Sequence, residues 1–326
     1  MAKLKKQHMT IHWKAIVQDD SSIPATEATL KEKATLVGRI GLMMLSVGTG
    51  AWRVRNSMNK VARCLGITCT ADIGLLAISY TCIEGTDTYT QSISNPTTGV
   101  NTHKLMQLEL FMKEFPDKVS TYSVKHIHEV LDEIQKLPAN YKAWNLGLAS
   151  ALACGAFTFL LGGGPVEMCC AFLGAGVGNF VRKKMLGHSI SLLANVAVSV
   201  AASCLVYVLT ILLAQSLLSV SAVHQAGYIC AMLFVIPGFP LITGGIDLAK
   251  LDLRSGLERV SYALLIILTA TMTGWATAAI CQFQPADFEP LQLQKWTLLC
   301  FRLITSFCGV YGFSLMFNSL RKMAFT

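Results

Sequence analysis

The chain has 326 residues, 53% hydrophobic and only 14% charged, with a formal net charge of +8. A soluble domain carries about 25% charged residues. The charges are also uneven: residues 1–143 hold 17 Lys/Arg and 13 Asp/Glu, which leaves 10 and 6 for residues 144–326. This pattern excludes a single soluble domain, a disordered chain and a secreted disulfide scaffold. It predicts an α-helical polytopic membrane protein with a small N-terminal cytosolic α/β domain. No basic stripe with interleaved aromatics occurs, so nucleic acid is not an expected partner.

Residues 1–27 read as a flexible arm, broken by Asp19-Asp20-Ser21-Ser22 and Pro24. The arm has basic residues but no apolar core, so it is not a secretory signal. The α/β domain spans 28–143. A helix is expected from Ala28 to Val47, interrupted by Gly48-Thr49-Gly50, then an amphipathic helix from Trp52 to Leu65 ended by Gly66. A β-like stretch follows from Ile67 to Ile83, then a turn at Glu84–Asp87 and a strand from Thr88 to Ile93. Asn95-Pro96 opens a loop, Asn101 caps a helix to Phe115, and Ser123 caps another to Leu137, stopped by Pro138.

No catalytic set stands out in this half, and an enzyme is not expected. Gly48-Thr49-Gly50-Ala51 lacks the GK[ST] ending of a phosphate loop. His126 and His128 sit two apart on a helix and do not share a face, so no metal site is expected and no cofactor is implied. Cys64, Cys69 and Cys82 read as free thiols of a reducing compartment. The eight cysteines from Cys154 onward read as small buried hydrophobes.

The membrane domain, 144–326, has six apolar runs at 144–161, 166–181, 190–213, 225–246, 260–281 and 296–317, each long enough to cross or nearly cross a bilayer. Arg182, Lys183, Lys184, Lys250, Arg254, Arg259, Arg321 and Lys322 follow alternate runs, and the opposite connections hold only Lys295. The positive-inside bias then places both termini in the cytoplasm.

Ionisable groups in such runs are costly, at least ~2.5 kcal/mol at the bilayer centre, and point to function. Glu167 follows Gly162-Gly163-Gly164-Pro165, Asp247 ends run four, and Arg302 lies six residues into run six. Each also has a plain reading: the acids as helix ends at the interface, Arg302 as a snorkelling side chain. Pro237, Gly238 and Pro240, followed by Thr243, Gly244 and Gly245, predict a helix broken within the membrane, whose freed backbone groups line a polar cavity. Gly174-Ala175-Gly176-Val177-Gly178 contains GxxxG and reads as a close helix contact.

Four stretches together resemble the threonine/serine exporter family, over residues 35–326. They are Gly48-Thr49-Gly50-Ala51-Trp52-Arg53-Val54 with Met58, Ala62, Arg63, Leu65 and Gly66; Phe157 to Pro165; Pro237 through Asp247, then Asp252, Ser255-Gly256 and Arg259; and Gly312 to Asn318 with Arg321. Arg55 stands where the family usually has an acid. The resemblance implies the N-terminal component of an exporter of a small polar metabolite, embedded in the inner (plasma) membrane. Threonine or serine is the first substrate expectation and a succinate-like dicarboxylate the alternative. A small partner membrane subunit and an oligomer are expected with it.

No ATP-binding motif is visible, which makes proton coupling the expectation, with Asp247 or Glu167 as carrier and Arg302 as a pairing cation. A non-transporting regulatory or assembly subunit is the rival from another class. Cys154–Leu161 and Cys308–Leu315 match in Cys, Gly, Phe and Leu at a constant offset of 154, as an inverted repeat would produce.

Overall fold

The computed structural model describes residues 11–13, 16, 23–95, 99–186, 188, 190–218, 226–283, 288 and 291–325. The chain divides into two units. One, the N-terminal unit, comprises Lys5–Pro138 and Gly238–Tyr262; the other, the helical unit, includes Ala139–Pro237 and Ala263–Thr326. Residues 238–262, which the sequence reading assigns to the membrane half, thus group with the polar domain.

In the N-terminal unit, α1 (Leu30–Ser46) and α2 (Ala51–Cys64) precede a meander of β1 (Thr68–Ile73), β2 (Ala77–Glu84) and β3 (Asp87–Ser94), antiparallel in the order β1-β2-β3. Then come α3 (Thr102–Lys118) and α4 (Val124–Lys136), capped by the Asn101 and Ser123 side chains. The β-like stretch expected over 67–83 resolves into two strands, β1 and β2. Gly74 donates its N–H to the Ala77 carbonyl at 2.8 Å, closing a tight hairpin at an apolar sequence with no polar turn signal.

Thr29 opens α1 with a reciprocal capping box. Its hydroxyl accepts the Glu32 N–H at 3.4 Å while the Glu32 carboxylate accepts the Thr29 N–H at 3.2 Å. Thr29→Ala is expected to cost about 1 kcal/mol, read as a lower melting temperature of the full chain in detergent.

The core of this unit is α1 itself, buried along nearly its whole length. Gly38 lets Tyr80 of β2 lie against the helix, since a Cβ there would meet the tyrosine hydroxyl at 2.2 Å. Arg39 is fully buried. Its guanidinium donates to the His128 carbonyl at 2.9 Å, to Gln135 at 3.3 Å and to Asp132, and it lies over the Trp13 ring. Burial pulls its pKa below the ordinary arginine value, and Asp132 opposes that. Trp13 and Ala25, within the stretch expected to be a flexible arm, are both buried in this core. Asp19–Ser22 and Pro96 lie outside the described residues.

The helical unit contains α5 (Ala143–Leu160), α6 (Pro165–Leu186), α7 (Leu192–Leu218), the short α8 (Tyr228–Ala231), a 3-10 turn (Leu233–Val235), α11 (Lys295–Met316) and α12 (Arg321–Phe325). Between the 3-10 turn and α11 in the chain run α9 (Gly238–Ala249) and α10 (Leu253–Ile280).

Small residues set the packing here. A Cβ on Gly147 would meet the Gly176 carbonyl at 2.9 Å, so α5 and α6 touch backbone to backbone. The Ser150 hydroxyl reaches the Ala175 carbonyl at 3.1 Å, and the Asn179 amide reaches that of Leu146 at 2.8 Å. α5 and α11 run antiparallel. Asn140 and Tyr141 bond Asn318 and Ser319 at one end, and Phe159 meets Phe301 toward the other. These are the two helices that carry the matching octapeptides.

Among the described residues, four helices are long and apolar enough to cross a membrane: α5, α7, α10 and α11. A fifth span results if Tyr228–Val235 and Gly238–Ala249 count as one. The expected second span, α6, is a 22-residue helix that carries Glu167, Arg182, Lys183 and Lys184 and is not among them.

Candidate functional site

The site starts from a backbone need. α2 begins at Ala51, and its N-cap, Gly50, has no side chain to satisfy the free N–H groups of the first turn. Asp247, 196 residues later, supplies the acceptor. Its two carboxylate oxygens lie 3.0 and 3.1 Å from the Ala51 nitrogen, where a carboxylate also complements the helix dipole. Gly50 eases this approach, since a Cβ there would crowd the Asp247 oxygen at 3.0 Å. Gly48 turns the chain into position with φ +93°, a left-handed conformation that favours glycine.

Asp247 is fully buried, and a buried carboxylate needs charge and hydrogen bonds to persist. α10 provides both. The Ser255 hydroxyl donates to Asp247 at 2.9 Å, and Arg259, one turn on and also buried, lies 3.2 Å from the same carboxylate through Nε. The remaining guanidinium nitrogens turn to the glycine corner. Nη2 donates to the Thr49 carbonyl at 2.8 Å, and Nη1 lies 3.5 Å from both the Gly48 carbonyl and the Thr243 hydroxyl. The result is a saturated clasp of one acid, one hydroxyl, one guanidinium and the start of α2.

α9 and α10 form the other half of the clasp as a helical hairpin. Leu251 makes the turn with φ +63°, and the Asp252 N–H returns to the Asp247 carbonyl at 2.9 Å. Gly256 and Gly244 let the two helices close: a Cβ at 256 would meet the Leu248 side chain at 2.6 Å, and one at 244 would meet Arg259 Cβ at 3.1 Å. The Ser-Gly pair at 255–256 therefore has two jobs, a hydroxyl for Asp247 and a gap for Leu248.

Two further pairs flank the clasp. Lys250 places its ammonium 4.4 Å from the Trp52 ring centroid. Arg55 pairs with Asp252 at 2.6 Å. Arg55 therefore holds the α9–α10 turn. Arg53 pairs with Glu109 of α3 at the surface, while Val54 is buried in the core.

Neither proline interrupts a helix from within. Helical structure stops at Ile236 (φ −60°, ψ 122°) and restarts at Gly238. Pro237 precedes the new helix and Pro240 falls in its first turn, where a missing N–H costs no intrahelical bond. Thr243 bonds back to the Phe239 carbonyl at 2.9 Å.

Glu167 and Arg302 belong to the helical unit. Glu167 is buried and curls back over the start of α6, accepting the Gly164 N–H at 3.0 Å. This is the capping geometry of an acid in the first helical turn. Arg302 is exposed on α11. His126 is exposed and His128 buried, so the two do not converge, and no cluster of three metal-binding side chains occurs among the described residues.

In the sequence, Asp247 and the glycine corner stand out separately; Ser255 enters only through the family resemblance, and Arg259 and Lys250 otherwise only as basic residues that follow the fourth apolar run. The usable signal was the spacing: a serine and an arginine four apart place both on one face of α10.

A family model described as "Putative threonine/serine exporter" matches residues 35–281. The chain is 25% identical over 236 residues to the "Probable succinate transporter subunit YjjP" of Klebsiella aerogenes, covering 72% of this chain and 87% of that protein. It is 24% identical over 235 residues to the protein of the same description from Escherichia coli K12, covering 72% and 88%. No solved structure matches. The match takes in the glycine corner, the α9–α10 hairpin and every residue of the clasp, and the chain belongs to the threonine/serine exporter family.

Proposed function

We propose that this chain is the larger subunit of a secondary exporter of a small carboxylate-bearing metabolite. The family description favours threonine or serine, and the relatives' description favours a small dicarboxylate. The exporter resides in the inner membrane with both termini cytoplasmic and works with a smaller membrane subunit under a proton gradient.

The observation that carries this reading is the clasp: a buried carboxylate held by a helix N-terminus, a hydroxyl and a guanidinium. That donor set is also a binding site for a carboxylate from outside. A substrate carboxylate competes with Asp247 for Arg259, and a proton on Asp247 discharges the pair. Either event releases the α9–α10 hairpin from the glycine corner, which is a latch of the kind alternating access needs. Glu167, a buried acid of the helical unit, is the second proton station.

The test is efflux from proteoliposomes loaded with labelled threonine or succinate, with an imposed pH gradient and with the companion subunit present. Asp247→Asn and Glu167→Gln are each expected to lower gradient-driven efflux at least tenfold while the protein stays folded. Undiminished efflux in both removes the proposed roles. Absence of efflux of either solute by the wild-type pair assigns the chain to a non-transporting subunit.

A further inference from the structure

We propose that Cys69 and Cys82 form a dithiol that a small soluble disulfide, of the oxidised-glutathione type, converts reversibly into a cross-strand disulfide. The inference does not depend on the transport reading. It begins with register. Cys69 of β1 lies directly opposite Cys82 of β2. The hairpin closes at the hydrogen-bonded pair Gly74–Ala77. In an antiparallel ladder hydrogen-bonded and non-hydrogen-bonded pairs alternate, and the count from 74–77 makes 69–82 a non-hydrogen-bonded pair. Such pairs hold their Cα atoms about 4.5 Å apart, inside the 4.4–6.8 Å range that a disulfide spans. The two side chains point to the same face, as the burial alternation along β1 and β2 requires.

The two thiols are unequal, which gives the reaction an order. Cys69 is on an edge strand and half-buried, whereas Cys82 is on the central strand and fully buried. The hydrogen bond between the two thiols holds the Cys69 pKa below the ordinary thiol value, and the same bond together with burial pushes that of Cys82 up. Cys69 is therefore the attacking group. Its thiolate, having lost its proton to solvent, attacks one sulfur of the external disulfide and expels a thiolate. The Cys82 sulfur then attacks Cys69 in the mixed disulfide, giving up its proton and expelling the second thiolate. One S–S bond forms and one is broken; two protein thiols are oxidised and the small disulfide is reduced to two thiols.

The position gives the bond a consequence. The far end of the same hairpin grips the start of α10: Leu75 donates its N–H to Glu258 at 2.5 Å, and Asp72 pairs with Arg254. Glu258 and Arg259 are neighbours, so a staple between β1 and β2 stiffens the element that abuts the clasp.

The experiment uses the full chain in detergent, incubated with oxidised glutathione, quenched in acid, denatured, alkylated and cut after Arg63 and before Asp72 and Asp87. The expected product is the 64–71 fragment joined to the 72–86 fragment, two hydrogen masses light, with fragment ions that place the bridge at Cys69. Dithiothreitol reverses it, Cys64→Ser keeps it, and Cys69→Ser abolishes it. Alkyl groups on both Cys69 and Cys82, a glutathione adduct left on Cys69 with Cys82 alkylated, or a bridge from Cys82 to Cys64 would each overturn the proposal.

Discussion

Asp247→Ala should be among the most damaging single substitutions in the chain, with an expected loss of about 3–5 kcal/mol. The alanine removes a buried counter-charge and leaves Arg259, itself buried, with an unpaired guanidinium. It also uncovers the Ala51 N–H at the start of α2 and takes the acceptor from the Ser255 hydroxyl. The measure is the monodisperse fraction surviving a temperature ramp in detergent. The double variant Asp247→Leu/Arg259→Met separates this account from a simple packing defect. Removing both charges leaves no uncompensated ion, so the double variant should be more stable than Asp247→Ala, as paired apolar replacements of buried ion pairs often are. A double variant less stable than the single one would mean that the clasp contributes through shape and not through charge pairing. Asp247→Asn, which keeps the acceptor oxygen for Ala51, should fall between them, and this is why it serves in the flux assay.

The parts of this protein legible in its sequence are those set by nearby residues. Asn101 and Ser123 announce their helices because a cap acts over three positions, and the corner at 48–50 announces itself because glycine is the residue that most readily takes the left-handed turn of Gly48. The hairpin at Gly74 was hidden because Ile73-Gly74-Leu75-Leu76 continues an apolar run through the turn.

The clasp was hidden for a different reason. Its halves are 196 residues apart, and nothing local says that Gly50 lacks a cap that Asp247 supplies. The prolines at 237 and 240 correctly marked an interruption. They act by starting a helix at Gly238, because a proline in a first turn gives up a hydrogen bond that does not exist there. Glu167 shows the same lesson for charge: an acid inside an apolar run can be held by the backbone it caps, and its burial alone does not separate a structural from a transporting role.

The second large effect is expected at Gly174, where α6 meets α7. A Cβ on Gly174 would lie 2.8 Å from the Ser203 carbonyl oxygen and 3.1 Å from Ala231 Cβ. Gly178, one turn on, faces Ser203 Cβ at 2.7 Å and the Phe234 ring at 2.8 Å. The obstacle at 174 is backbone of a neighbouring helix, which cannot rotate away as a side-chain tip can. Ser203 also donates its hydroxyl to the Ala231 carbonyl at 2.8 Å, so displacing α7 breaks a buried hydrogen bond as well. Gly174→Val should therefore cost about 3 kcal/mol or more, at the upper end of overpacking. Gly245→Ala is the control. It lies in α9 with nothing within 4 Å of its missing Cβ, so alanine there should be neutral or stabilising by up to about 1 kcal/mol through helix propensity. Melting curves of the two variants in one detergent test the contrast. Equal stability at both positions would show that α6 and α7 have room to separate, and that the small residues of α6 are not what sets their distance.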